Sequence, residues 1–277
     1  MNSRGLARID RGVLLALGLL LLTGCAAPGL RHADMQAMGF VPHAADKRVW
    51  LEPGAESYAD RVVSELNLAI SRVERQHGLP FLAPPKVYVC ATSACFTRLV
   101  QTPGLTAAVV PDNRLILSPR LHGPEAHRLP GILAHELSHL HLGQRLGHYS
   151  PWIPVWFHEG LATLVAEGAG AELGTDQAAC DAWRAGRAVD FSRRDVPGRR
   201  HRAADFGLDI SLFYRQSWRM LALLRDHDPD AFLRWLKMLQ EGADFHIAFA
   251  DVYATDMSML TRLLCEVAVS DNARGHE

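Results

Sequence analysis

The pentapeptide His135-Glu136-Leu137-Ser138-His139 and, 20 residues beyond its second histidine, Glu159 are the residues of this chain best suited to chemistry. On a helix, positions i and i+4 share one face, with Cβ atoms about 6 Å apart. Both imidazoles then reach a single zinc ion at roughly 2.0–2.1 Å. Glu136, one residue round the helix, falls beside that ion and does not point at it. A carboxylate in that position takes a proton from water that the ion polarises. Pro130 suits an early helical position, and Ile132, Leu133, Leu137 and Leu140 supply an apolar face.

Two histidines leave such a site one protein ligand short. Metzincins place a glycine three residues and a histidine six residues after the second histidine. Here those positions hold Leu142 and Arg145, which excludes that arrangement. The other solution is a carboxylate from the next helix, and Trp156-Phe157-His158-Glu159-Gly160-Leu161-Ala162 offers Glu159. A turn between two short antiparallel helices brings Glu159 back over the first, completing a set of His135, His139 and Glu159 with one open position. Gly160 and Ala162 are small, which lets the two helices approach closely around the ion. His141, His148 and His158 lie nearby in sequence; with three ligands assigned, they read as surface residues or as neighbours of the ligands.

The elements that must position these residues follow from periodicity. Ala59, Val62, Val63, Leu66, Ile70 and Val73 recur at helical spacing, predicting a helix over 55–77 closed by Gly78 and Pro80. Lys86–Cys90 reads as a strand, followed by a short helix near 94–100. Thr106–Val110 and Arg114–Ser118 read as two more strands across the turn signal Pro111-Asp112-Asn113. Helices are expected at about 130–145, 154–167, 176–187, 211–226, 229–241 and 256–268. Between them Arg193–Arg202, with five arginines around Pro197 and Gly198, reads as a solvated loop. The run from Gly168 to Gly174 misses the dinucleotide-binding spacing and follows a helix. Strands first and helices after predict an α+β domain: a small mixed sheet, then a mostly helical half carrying the His-Glu-x-x-His helix.

His-Glu-x-x-His followed by Trp-x-x-Glu-Gly-Leu-Ala resembles the gluzincins, in particular aminopeptidase-N-like catalytic domains and the smaller peptidase MA-like domains. The likeness extends over most of residues 55–268 and implies a zincin-like fold. It implies zinc bound by His135, His139 and Glu159, with Glu136 as the general base of peptide-bond hydrolysis. It also implies that Arg114–Ser118 takes the place of the family's edge strand, which holds an extended peptide by backbone pairing. Phe213-Tyr214-Arg215-Gln216-Ser217 resembles a helix start whose tyrosine stabilises the oxyanion, which makes Tyr214 the candidate donor. No Gly-x-Met-Glu-Asn element is present to bind a substrate amino terminus, a departure from the aminopeptidases.

The N-terminus reads as a targeting segment. Arg4, Arg8 and Arg11 precede an apolar run from Gly12 to Leu22, too short to span a bilayer, where about 20 residues are needed. Leu22-Thr23-Gly24-Cys25 resembles the lipobox of bacterial lipoproteins. It implies a signal peptide over 1–24, cleavage before Cys25, and acylation there by a diacylglyceryl thioether and an N-acyl chain, enough for stable anchoring. Ala26 in place of aspartate implies outer-membrane sorting, with the domain facing the periplasm. Residues 25–47 read as a lipidated tether and 48–277 as the catalytic domain.

Cys90, Cys95, Cys180 and Cys265 remain, an even number that suits an oxidising compartment. Cys90 and Cys95 are close enough to bridge, leaving Cys180 and Cys265, but sequence does not choose among the three pairings. The chain carries a net charge of −1, with +2 held in residues 1–24, so no basic footprint for nucleic acid exists. The expected partners are a peptide or protein substrate of the cell envelope and, through the lipid, a membrane. The rival reading is a non-catalytic, chaperone-like envelope lipoprotein that keeps a zinc scaffold.

Overall fold

A computed structural model describes residues 32–100, 107–110, 114–255 and 257. The segments expected as signal peptide, lipidated Cys25 and most of the last helix (256–268) lie outside the described residues. Among the described residues, no helix is long and apolar enough to cross a membrane.

The chain is α+β, as its pattern predicts. Helix α1 (His32–Ala37), strands β1 (Val41–Pro42) and β2 (Val49–Leu51) and helix α2 (Glu56–His77) come first. Strand β3 (Lys86–Val89), helix α3 (Ser93–Leu99) and strands β4 (Ala107–Val110) and β5 (Arg114–Leu117) complete a five-stranded sheet. Its order is β1-β2-β3-β5-β4: β2, β3 and β5 run parallel, and β1 and β4 pair antiparallel at the two ends. Two expectations are corrected here. Arg114–Leu117 is an inner strand between β3 and β4, and the outer antiparallel strand is Ala107–Val110. Nor is 25–47 all tether: β1 pairs with β2, and Met35 and Phe40 are buried, so the folded unit begins before residue 48. A six-residue helix and a two-residue strand are too short to show a period.

Side chains alternate across the sheet. Val87, Val89, Leu115 and Leu117 face the large core beneath the helices. Tyr88 and Ile116 face the other way, into a small core with Met35, Phe40, Trp50, Cys90, Cys95 and Phe96. Cys90 and Cys95 form a disulfide within this small core. Thr92 caps α3 by accepting from Cys95 N at 3.1 Å. Cys180 is disulfide-bonded as well; Cys265, its expected partner, lies outside the described residues.

From residue 129 on, the regular elements are helices: α4 (Leu129–Leu146), α5 (Val155–Val165), α6 (Asp176–Arg184), α7 (Ile210–His227), α8 (Pro229–Gln240) and α9 (Phe245–Tyr253). The first five match the predicted helices. Helix α9 was not anticipated, because Phe-His-Ile-Ala-Phe-Ala-Asp-Val-Tyr mixes aromatic and β-branched residues that favour strands. Asp244 starts it nonetheless, accepting from His246 N and Ile247 N at 3.0 Å each. Trp156, Phe157, Trp235 and Phe245 interlock edge to face and tie α5, α8 and α9 together.

Candidate metal centre

Helix α4 packs against α2, α5 and β4, and α5 lies between α4 and α7. His135 and His139 stand one turn apart on α4, and Glu159 faces them from the second turn of α5. Their ligand atoms form a nearly equilateral triangle. His135 Nε2 and His139 Nε2 are 3.2 Å apart, and Glu159 Oε2 lies 3.5 and 3.4 Å from them. A tetrahedral ion with bonds of about 2.0–2.1 Å has ligand–ligand edges of roughly 3.3–3.4 Å. The observed sides match those edges.

The chemistry of the three donors points the same way. Glu159 Oε2 is buried and has no hydrogen-bond partner; 3.4–3.5 Å is too long for a charge-assisted bond, which runs at about 2.7–2.9 Å. A buried carboxylate oxygen without a partner costs free energy unless a cation neutralises it. Burial pushes the Glu159 carboxyl up, yet the adjacent His139 and His135 outweigh it and hold the group well below the ordinary range. On His139, burial acts downward, but Glu159 and then Glu136 carry its pKa above normal. His135 Nδ1 lies 3.2 Å from the Ala169 carbonyl oxygen. A carbonyl only accepts, so the proton of neutral His135 sits on Nδ1 and the Nε2 lone pair is free for a metal.

Glu136 is half-buried and near enough to His139 and Tyr214 for its charge to act on both. Tyr214, in the second turn of α7, stacks on His135 with centroids 5.9 Å apart and planes 19° off parallel. Burial first, then Glu159, pushes its phenol far above the ordinary value, so the hydroxyl stays protonated as a donor. His158 donates to or accepts no ligand atom; its Nε2 lies 3.3 Å from the Ser150 carbonyl, and burial lowers its pKa to about 4, leaving it neutral. His148 is exposed.

Other supports carry no sequence signature. Gly160 does not ease α4 against α5 as its position suggested. It faces α7, where an added Cβ would lie 2.7 Å from the Ser217 carbonyl oxygen. Asp195, in the arginine-rich loop, is buried and accepts from Val155 N at 3.0 Å, pinning the start of α5. The same carboxylate bonds His201 Nδ1 at 2.6 Å and Arg200 Nε at 3.2 Å. The loop's arginines are otherwise mostly exposed, as a solvated connection requires.

Behind α4 runs a buried polar chain. His141 Nε2 lies 2.9 Å from the Leu79 carbonyl, His77 Nδ1 lies 2.9 Å from His141 Nδ1, and Ser138 Oγ lies 2.9 Å from His77 Nε2. One proton order satisfies all three: His141 donates to the carbonyl, His77 to His141, and Ser138 to His77. His141 is therefore buried and not a surface residue, and His77 carries no sequence signal because a lone histidine ending an amphipathic helix has no pattern. Compared with known proteins, the chain matches no family model and no curated protein.

Proposed function

We propose that this chain is a zinc-dependent peptidase of the gluzincin type, with His135, His139 and Glu159 as ligands and Glu136 as general base. The observation that carries the reading is the donor triangle, with sides of 3.2, 3.4 and 3.5 Å around an unpartnered buried carboxylate oxygen. Held there, Zn²⁺ supplies Lewis acidity toward a scissile carbonyl and lowers the pKa of a water toward ~7.

The residues around that position divide the remaining work. Glu136 accepts the proton of the attacking water and delivers it to the leaving amine. Tyr214, kept protonated by its surroundings, donates to the oxyanion of the tetrahedral intermediate. His135 and His139 would hold the ion through Nε2, with the Ala169 carbonyl keeping the His135 proton on Nδ1. Strand β4, at the end of the sheet and against α4, offers its outer edge to an extended peptide. Within the same proposal, the lipobox-like segment at Cys25 anchors the domain in the bacterial envelope, where proteins or peptides are the substrates.

The test compares zinc content and peptide hydrolysis in four purified proteins. Wild type should hold one zinc per chain. Glu136→Gln should keep the zinc and the fold while losing about 10²–10⁴-fold in kcat. Glu159→Ala should lose the metal. Tyr214→Phe should keep zinc and lose about 100-fold in kcat. Full hydrolysis by Glu136→Gln would sink the catalytic reading, and a folded wild type with neither zinc nor hydrolysis would sink the metal reading.

A further inference from the structure

The turn that follows α5 wraps the back of His135. Ala169 lies against Gly131, one helical turn before His135 on the same face of α4. A Cβ on Gly131 would come within 2.6 Å of the Ala169 Cβ, so glycine there lets the turn reach the helix. The next residue, Gly170, has φ +100°, and an added Cβ would sit 3.2 Å from His135 Cε1 and 3.4 Å from Tyr214 Cδ2. A side chain at 170 would strain the backbone and press on both rings.

The peptide group joining these two residues is held from both ends. Its carbonyl, on Ala169, accepts from His135 Nδ1 at 3.2 Å. Its N–H, on Gly170, donates to Glu172 Oε2 at 2.9 Å. Glu172 is in turn gripped by Arg128, at the start of α4, at 3.2 and 3.3 Å. Arg128 also pairs with Glu125. One charged group is thus linked to the imidazole through a single peptide.

We propose that Glu172 is a positioning residue for the metal centre, acting on His135 through the 169–170 peptide. The inference rests on the zinc reading above. A carboxylate accepting from a peptide N–H pushes electron density toward that peptide's oxygen, because hydrogen bonds in series strengthen one another. The Ala169 carbonyl then accepts more strongly from Nδ1–H, which makes Nε2 a better donor and fixes the ring toward the ion. Carboxylates that bond directly to ligand histidines do the same; here a peptide stands between. Glu172 is not one of the three donors of the candidate centre, and its own carboxylate is partly exposed.

The experiment measures zinc affinity by competition with a chromophoric chelator for wild type, Glu172→Gln and Glu172→Ala, alongside the melting temperature of each metal-free protein. Loss of outer partners typically lowers metal affinity about 10–100-fold, and action through a peptide places Glu172→Ala near the low end, at about 10-fold. Glu172→Gln keeps an oxygen for Gly170 N–H but loses the charge, and should weaken binding by about 3-fold. Unchanged metal-free melting with this graded loss separates positioning from general stability. Zinc affinity within twofold of wild type in folded Glu172→Ala overturns the proposal. If that variant does not fold, wild-type affinity in Glu172→Gln overturns it. A wild type that binds no zinc overturns the metal reading instead, and this inference with it.

Discussion

Replacing Gly160 by alanine puts a methyl carbon 2.7 Å from the Ser217 carbonyl oxygen, 2.8 Å from the carbonyl carbon and 3.1 Å from Ser217 Cβ. Ordinary contact begins at 3.4 Å, so α5 and α7 must part by about 0.7 Å. Two of the three obstructing atoms are backbone, and no rotamer change relieves them. Overpacking of this kind costs about 1–3 kcal/mol, and a backbone obstacle places the cost near 3. Alanine's better helix propensity returns about 1 kcal/mol. The expected net loss is therefore about 2 kcal/mol. In urea, with a slope of about 2–3 kcal/mol per molar, the midpoint should fall by roughly 0.7–1 M. Tyr214 lies three residues before Ser217, so the same movement draws its hydroxyl away from the site and lowers kcat. Zinc content should persist, because the α4–α5 contact does not pass through Ser217. A midpoint within about 0.2 M of wild type would refute the argument that this helix pair is held at contact by a glycine.

Acidification should weaken the fold through the His77–His141 pair. Burial, then the neighbouring His141 and His139, holds His77 well below its ordinary pKa, and burial lowers His141 as well. Unfolded histidine titrates near 6.5, so above that pH both states are neutral and the pair contributes no slope. As pH falls below about 6.5, the unfolded chain takes up protons the folded one refuses, and stability drops by up to about 1.4 kcal/mol per pH unit for each group. Denaturant midpoints from pH 7.5 to 5.5 should fall more steeply in wild type than in His77→Leu/His141→Leu; parallel profiles would contradict the claim that the folded pair resists protonation. Asp195→Ala should cost about 2–3 kcal/mol, since it leaves His201 Nδ1 and the first N–H of α5 without their acceptor while Arg200 keeps the Ile153 carbonyl. Chemical denaturation showing a loss below about 1 kcal/mol would mean that water replaces the carboxylate at no cost.

How much of this was legible in the sequence depends on the range of each interaction. His135 and His139 were readable because helical geometry alone sets their relation, and Glu159 because one turn links its helix to theirs. Strands β4 and β5 were readable as a local pair, but not their order: that β5 inserts beside β3 is fixed by parallel pairing between strands remote in sequence, Lys86–Val89 and Arg114–Leu117. The partner of Gly160 was misjudged for the same reason, since Ser217 is remote in sequence. Least legible was the Ala169 carbonyl. Every residue has one, so no residue type marks it. Asp195 was hidden among arginines, whose number drew the eye to charge on the outside when the loop's anchor points inward.

The sheet divides the domain unequally, and the division bears on how the molecule would fail. The residues of the candidate metal centre lie on α4, α5 and α7, on the large-core side. The opposite face of the sheet is covered by a thin layer from α1, the segment around Phe40, and α3, stapled by Cys90–Cys95. So few apolar residues cannot sustain a layer by themselves. Amide protons of α3 should therefore exchange through local opening, at lower free energy than those of α4 and α5. Opening would uncover Trp50, Tyr88 and Ile116, an apolar stretch on neighbouring strands. A chain that lacked this disulfide would then be prone to self-association with its helical half still folded, so solubility would register the defect first.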